Sequence, residues 1–244
     1  MIALLAVVGI FFIVNYRLLS LLEREDWPAL AYYLEQQIYV KGRYSGRKVR
    51  LLASSYLVIS DYMSVLKLES KTMLARPSLV EKNVLLFGTA RVLSGKYQEA
   101  AAFFRSNIDK CRTSDRQWIQ WYYGFSLLLS GNFNLAQPEY KNLAANSDDA
   151  LVTGLSSYFL ENSIARKVLN HEECAAAAKN GRERIKKALH SHDHWKKEVD
   201  KRATDIYIAI IRKYINEAGL WVFYENQNTA AIELSVSDTH LGKI

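Results

Sequence analysis

The sequence predicts an all-α chain built from stacked helical hairpins, and three observations predict it. The first is a pattern stated twice. Phe87, Gly88, Gly95, Tyr97, Ala100 and Phe104 recur as Tyr123, Gly124, Gly131, Phe133, Ala136 and Tyr140, every pair offset by 36 residues. A repeat of that length marks a helix-turn-helix unit that buries its apolar face against its own copies. The second is the spacing inside a copy: apolar and small residues return every three or four positions through Val84, Leu85, Phe87, Gly88 and Val92, then through Ala100, Ala101, Phe103, Phe104 and Ile108. The third is composition. Only three of 244 residues are proline, and strand-like alternation is weak. A solenoid of about five hairpins would use this length as one domain.

At the amino end, Ile2 to Val14 is an uninterrupted run of 13 apolar or small residues, extended past Asn15 and Arg17 by Leu18, Leu19, Leu21 and Leu22. As a helix the first 22 residues reach roughly 33 Å, enough to cross a bilayer with Arg17 near an interface. A cleaved signal peptide would want a positive start, and this run begins at Met1 with neither Lys nor Arg. A buried helix of the first hairpin is the other competing reading. The expectation is an uncleaved anchor over residues 1–22, followed by a repeat domain over 23–225 and a flexible tail over 226–244. Arg17 and Arg24 follow the span, so the positive-inside count taken alone places the repeats in the cytoplasm. Short amino-terminal anchors of bacteria commonly carry their domain outward, and the expectation leans to a periplasmic domain on a single-pass anchor.

Leu18 to Glu25 and Trp27 to Ile38 form the first hairpin. Asp26 is placed to cap the second helix, with Pro28 tolerated in its first turn. The connection Lys41 to Lys48 follows, basic and glycine-containing. It lacks the G-x-x-x-x-G-K spacing and the preceding strand of a phosphate loop, which leaves a solvated turn; Arg43, Arg47 and Lys48 are its candidate partner-binding residues, within reach of anionic headgroups. Leu51 to Ser60 and Met63 to Ala75 make the second hairpin, stopped by Pro77.

The two full repeats come next, each broken by glycine at Ser94-Gly95-Lys96 and Ser130-Gly131-Asn132, where a positive backbone angle carries no Cβ penalty. Gly88 and Ala100 are expected to face one another across the hairpin, with Phe104 and Tyr140 filling the groove to the neighbouring unit. Leu151 to Asn162 and Glu172 to Leu189 read as a fifth pair with Gly154 at its small position. A final helix over about Trp195 to Tyr224 would cover the last exposed face. Beyond Glu225 the helical period ends.

At these residues the chain resembles the tetratricopeptide repeat (TPR) superfamily. Gly88 and Gly124 match its small first-helix position, Gly95 and Gly131 its turn, and Tyr97 and Phe133 the aromatic opening its second helix. Ala100 and Ala136 match the later small residue, and Phe104 and Tyr140 the later aromatic. The chain departs from that family in its period of 36 rather than 34, and in carrying Arg112 and Asp148 where a proline is usual. The resemblance implies a right-handed α-solenoid whose concave groove holds a peptide or another subunit.

The formal charge of +7 suits an acidic partner or an anionic membrane without demanding either. Cys111 and Cys174 are too few for a disulfide framework and read as unpaired small residues. The segment His190-Ser191-His192-Asp193-His194 has the residue types of a zinc or copper site. In a helix, however, His192 points away from His190 and His194, and Asp193 reads as an N-cap, so no metal ligand or cofactor is assigned. His171-Glu172-Glu173-Cys174 begins like a zinc peptidase helix without its second histidine. No nucleophile elbow, dinucleotide fingerprint or catalytic carboxylate pair occurs, and the chain is expected not to be an enzyme.

Trp118, Trp121, Tyr122 and Tyr123 cluster on one helix. Core packing accounts for Trp118 and Tyr123, and Trp118, Trp121 and Tyr122 are the candidate partner-binding aromatics of a concave surface. Cations do not interleave with them, so no nucleic-acid partner is expected. What the resemblance implies is a non-enzymatic, membrane-anchored TPR scaffold. It would join protein partners in a bacterial cell-envelope complex of secretion, assembly or periplasmic flagellar-motor type, and is compatible with homo-oligomerisation. A metal- or small-ligand-binding module at His190–His194 is the alternative.

Overall fold

The computed structural model describes residues 15–111 and 113–224. Short turns join helices along the whole of this range, and among the described residues there is no strand, so the chain is all-α. Most of the expected anchor, Arg112 and the expected tail lie outside the described residues, among which no helix is long and apolar enough to cross a membrane. The helices separate into two compact units divided between Asn83 and Val84, a boundary inside the span that the sequence assigns to one domain.

The amino-terminal unit contains α1 (15–23), α2 (Trp27–Glu35), α3 (Gly46–Val58), α4 (Tyr62–Ala75) and the short α5 (Pro77–Glu81). Asp26 caps α2 as expected, accepting from the Ala29 amide, with proline in the first turn. Helix α2 ends in a π-helical turn, Gln36–Val40. Helix α3 starts earlier than Leu51, because Ser45 accepts from the Lys48 amide and opens the helix there. Gly46, Arg47 and Lys48 of the expected basic connection are therefore helix. Leu30, Leu34, Ile38, Leu52, Val65 and Leu68 are fully buried and form the core of the hairpins. At its edge the Tyr56 hydroxyl donates to Glu35, and the Lys71 ammonium lies 3.9 Å from the centre of the Tyr39 ring.

The carboxy-terminal unit begins with two hairpins, α6 (Val84–Leu93) with α7 (Tyr97–Asn107) and α8 (Thr113–Leu129) with α9 (Phe133–Asn146). A third follows, α10 (Ala150–Phe159) with α11 (His171–Leu189), separated by a π-helical turn at Leu160–Ile164 and a loop. The expected last helix is three: α12 (His192–Asp200), α13 (Ile206–Ile210) and α14 (Arg212–Phe223). The breaks bring α14 back against α10 and α12.

One turn recurs through four hairpins. Glu25, Ser60, Gly95 and Gly131 all have a positive φ, and they stand at intervals of 35, 35 and 36 residues. In each, the next amide reaches back to the carbonyl five residues earlier: Asp26 to Leu21, Asp61 to Tyr56, Lys96 to Arg91 and Asn132 to Leu127, at 2.8–3.2 Å. An aromatic residue then opens the second helix every time, as Trp27, Tyr62, Tyr97 and Phe133. The first two turns carry non-glycine residues in the left-handed region, so glycine spacing alone does not reveal them.

The small first-helix position has a different use from the one expected. A Cβ on Gly88 would fall 2.1 Å from the Phe104 ring, so the glycine makes room for the aromatic of its own hairpin rather than for Ala100. That ring also stacks at 5.6 Å on Tyr122 of the next hairpin. Tyr140 repeats the arrangement more loosely, 3.1 Å from a Cβ on Gly124 and stacked on Phe159 at 5.9 Å. Gly88→Ala is expected to destabilise by about 1–3 kcal/mol through overpacking, although alanine is the better helix former. Gly124→Ala is expected to cost clearly less, and urea midpoints of the two variants, taken side by side, check that order.

Candidate functional site

The aromatic cluster expected on a concave surface is core. Trp118, Trp121 and Tyr122 are all at most 1 % exposed. They are covered by the carboxy-terminal helices, whose placement the helical period of α8 does not encode. Tyr207 of α13 lies 5.9 Å from the Trp118 ring, and its carbonyl accepts from the Tyr122 hydroxyl. Tyr214 of α14 sits 5.7 Å from Phe125 and 5.4 Å from Phe159, while Trp121 is stacked on Phe125 at 5.1 Å. Burial pushes the Tyr122 phenol far above its ordinary range, as it does that of Tyr140. The chain thus fills this aromatic face itself, and Trp121→Ala is a test of stability rather than of recognition.

The histidine segment is divided between two helix ends. His190 ends α11 in the left-handed conformation, and Ser191, not Asp193, caps α12 by accepting from the His194 amide. The His194 Nδ1 pairs with the Ser191 hydroxyl at 2.9 Å. His192 packs against Tyr224 and Phe223, with ring centres 5.4 and 6.2 Å away. Partial burial and the Lys196 charge lower its pKa, against a smaller opposing effect of Asp193. Among the described residues no group of three or more His, Cys, Asp or Glu side chains is placed to hold a metal. Cys174 is buried, where it accepts from the Gln137 amide group at 3.2 Å and its thiol pKa is raised by desolvation; Cys111 is half-buried.

Among the described residues, two open charged or polar surfaces bear on partner binding. The first is the basic segment of the amino-terminal unit, where Arg43 and Arg47 are exposed and Lys48 half-buried. The second was not anticipated. A groove of about 300 Å³ runs between α7, α8 and α9, lined by Arg105, Arg116, Gln117, Gln120, Asn142 and Asn146 among others. Arg116 is paired with Asp109 at 2.8 Å, and Gln120 donates to Glu139 at the same distance. Among the described residues Arg105 has no carboxylate partner; its guanidinium lies 5.9 Å from the Tyr123 ring. The sequence signal for this groove is the polar pairs Gln117/Gln120 and Asn142/Asn146, spaced to share a helix face on α8 and α9.

A family model described as "Uncharacterised Treponema protein" matches residues 64–224, about two thirds of the chain, from α4 through α14. An uncharacterized protein of Treponema pallidum (strain Nichols) is 26% identical over 232 residues, covering 90% of this chain and 72% of that protein. No solved structure matches.

Proposed function

We propose that this chain, which belongs to the family described as an uncharacterised Treponema protein, is a non-enzymatic scaffold. It would be a TPR-like α-solenoid, held at a membrane by its apolar amino-terminal run and joining protein partners in a bacterial cell-envelope complex. The observation that carries this reading is the recurrence of one left-handed turn at Glu25, Ser60, Gly95 and Gly131. Units repeating at this period stack into extended surfaces suited to holding other chains, and such surfaces rarely carry chemistry of their own.

The self-filled aromatic face moves the partner contact elsewhere on the carboxy-terminal unit. The polar groove between α7, α8 and α9 is the candidate. Its amides offer donors and acceptors to a peptide backbone, and Arg105 offers a cation to an acidic side chain or a chain terminus. The test is crosslinking in intact cells followed by detergent purification and mass spectrometry. The expected result is a reproducible stoichiometric partner set that Arg105→Glu depletes without lowering the level of the protein. Recovery of the protein alone, under conditions where known complexes of the same membrane survive, would sink the scaffold reading.

A further inference from the structure

We propose that residues 41–50 of the amino-terminal unit form a docking surface for an anionic lipid bilayer, at the end of the unit where residue 15 stands. This deepens the anchored reading and rests on it for its orientation. Between Glu35 and Asp61 the sequence contains Lys41, Arg43, Arg47, Lys48 and Arg50 and no acidic residue. Among the described residues none of the five has a carboxylate within ion-pair distance, whereas the exposed Arg116 and Lys201 and the half-buried Lys96 and Lys141 each find one. Lys41, Arg43 and Lys48 are gathered in space as well as in sequence. Besides partial burial, the neighbouring charges of Arg43 and Lys41 lower the Lys48 pKa, as a cluster without a counter-anion requires.

The loop is built rather than loose. The Lys41 amide donates to the Gln36 carbonyl at 3.1 Å, that of Arg43 to Gln37 at 3.0 Å and that of Tyr44 to Gly42 at 3.0 Å. Beside these cations Val40 is 71% exposed, an apolar side chain standing among positive charges. That pairing fits a lipid interface, where cations meet phosphates and a small apolar group enters between headgroups. A nucleic acid would ask instead for exposed aromatic platforms interleaved with the cations.

Topology supplies the orientation. Helices α1 and α2 are joined by the tight turn at Glu25, and the Arg17 guanidinium lies 5.3 Å from the Tyr33 ring, which fixes their register. Residue 15, where the apolar run enters the unit, is therefore level with the carboxy end of α2. The π-helical turn continues from that same end into Lys41. The basic loop and residue 15 therefore lie at the same end of the α1–α2 hairpin.

The experiment uses the full chain with vesicles of phosphatidylcholine alone and of phosphatidylcholine mixed with phosphatidylglycerol, with partitioning measured by co-sedimentation at low and high salt. The loop variant is Arg43→Gln, Arg47→Gln and Lys48→Gln together. The matched control, Lys179→Gln, Lys187→Gln and Lys213→Gln, removes three exposed cations of the other unit and gives the same net charge. Circular dichroism confirms that both variants fold. Wild type is expected to partition more strongly into the phosphatidylglycerol vesicles at low salt. The loop variant is expected to lose on the order of tenfold or more of that increment, while the control keeps it. An unchanged increment in the loop variant, or an equal loss in the control, would overturn the proposal. Failure of the anchored reading is separately visible as no association of wild type with phosphatidylcholine vesicles at high salt, and the phosphatidylglycerol increment still decides the loop.

Discussion

Trp195→Ala is expected to remove about 3–5 kcal/mol of stability, a large part of the roughly 5–15 kcal/mol that keeps an ordinary domain folded. Trp195 of α12 is 1 % exposed and is held between two glycines. A Cβ on Gly154 of α10 would come within 2.5 Å of the six-membered ring, and one on Gly219 of α14 within 2.5 Å of the indole nitrogen. The side chain is thus a plug that joins α10, α12 and α14. Its indole N–H makes no hydrogen bond, so Trp195→Phe loses packing alone and is expected to cost clearly less than alanine. The sharper test is a sign reversal. In wild type, Gly154→Ala drives a methyl into the ring and destabilises. In the Trp195→Ala background the same change fills part of the cavity and gains about 0.8–1.0 kcal/mol of helix propensity. Urea denaturation of the four proteins in this cycle measures it, and additivity of the two changes would refute the packing described here.

Gly154 was visible in the sequence as a small position, but Gly219 and the partner the two share were not. Gly154 reads correctly as the small position of a fifth first helix. In the two full repeats that position is filled from within the hairpin, by Phe104 and Tyr140, and α11 carries no aromatic to do the same. The replacement comes from Trp195, 41 residues later, and no local periodicity links them. The same blindness explains the aromatic cluster. The spacing of Trp118, Trp121 and Tyr122 places apolar side chains around α8, yet whether a face is open or covered depends on where a distant element returns. Tyr207 and Tyr214 return to it.

What sequence patterning did make legible is local. The 36-residue offset, the glycine turns, the Asp26 cap and most hairpin boundaries follow from residue type and spacing, because capping and amphipathic burial act over three or four positions. The turns at Glu25 and Ser60 stand where the hairpin bounds place them, but their left-handed backbone was not legible, because their side chains do not announce it. The basic loop was legible as composition. Its form was not, because Ser45 opens α3 inside it.

Asp149→Ala is expected to cost about 2–4 kcal/mol, from a lost helix cap together with donors left unpaired in a nearly closed site. The carboxylate is 11% exposed and is used on both sides. One oxygen accepts from the Leu151 and Val152 amides, at 2.9 and 3.2 Å, and so opens α10. The other accepts from the Trp118 indole N–H at 2.9 Å and pairs with Arg202 at 2.6 Å, the guanidinium lying 5.5 Å from a Trp118 ring. A single side chain therefore ties α8, the start of α10 and the turn after α12. Asp149→Asn separates the two uses. Asparagine caps as well as aspartate, but its one oxygen cannot serve both sides, and its amide group would confront the N–H groups of Trp118 and Arg202. It is expected to lie between wild type and alanine. Arg202→Ala leaves Trp118 and the cap satisfied and is half-exposed already, so it is expected to cost less than either Asp149 variant. Urea midpoints should rank wild type above Arg202→Ala, then Asp149→Asn, then Asp149→Ala. A cap acting alone would instead leave Asp149→Asn indistinguishable from wild type, and that outcome would show the contact to Trp118 and Arg202 to contribute nothing to the fold.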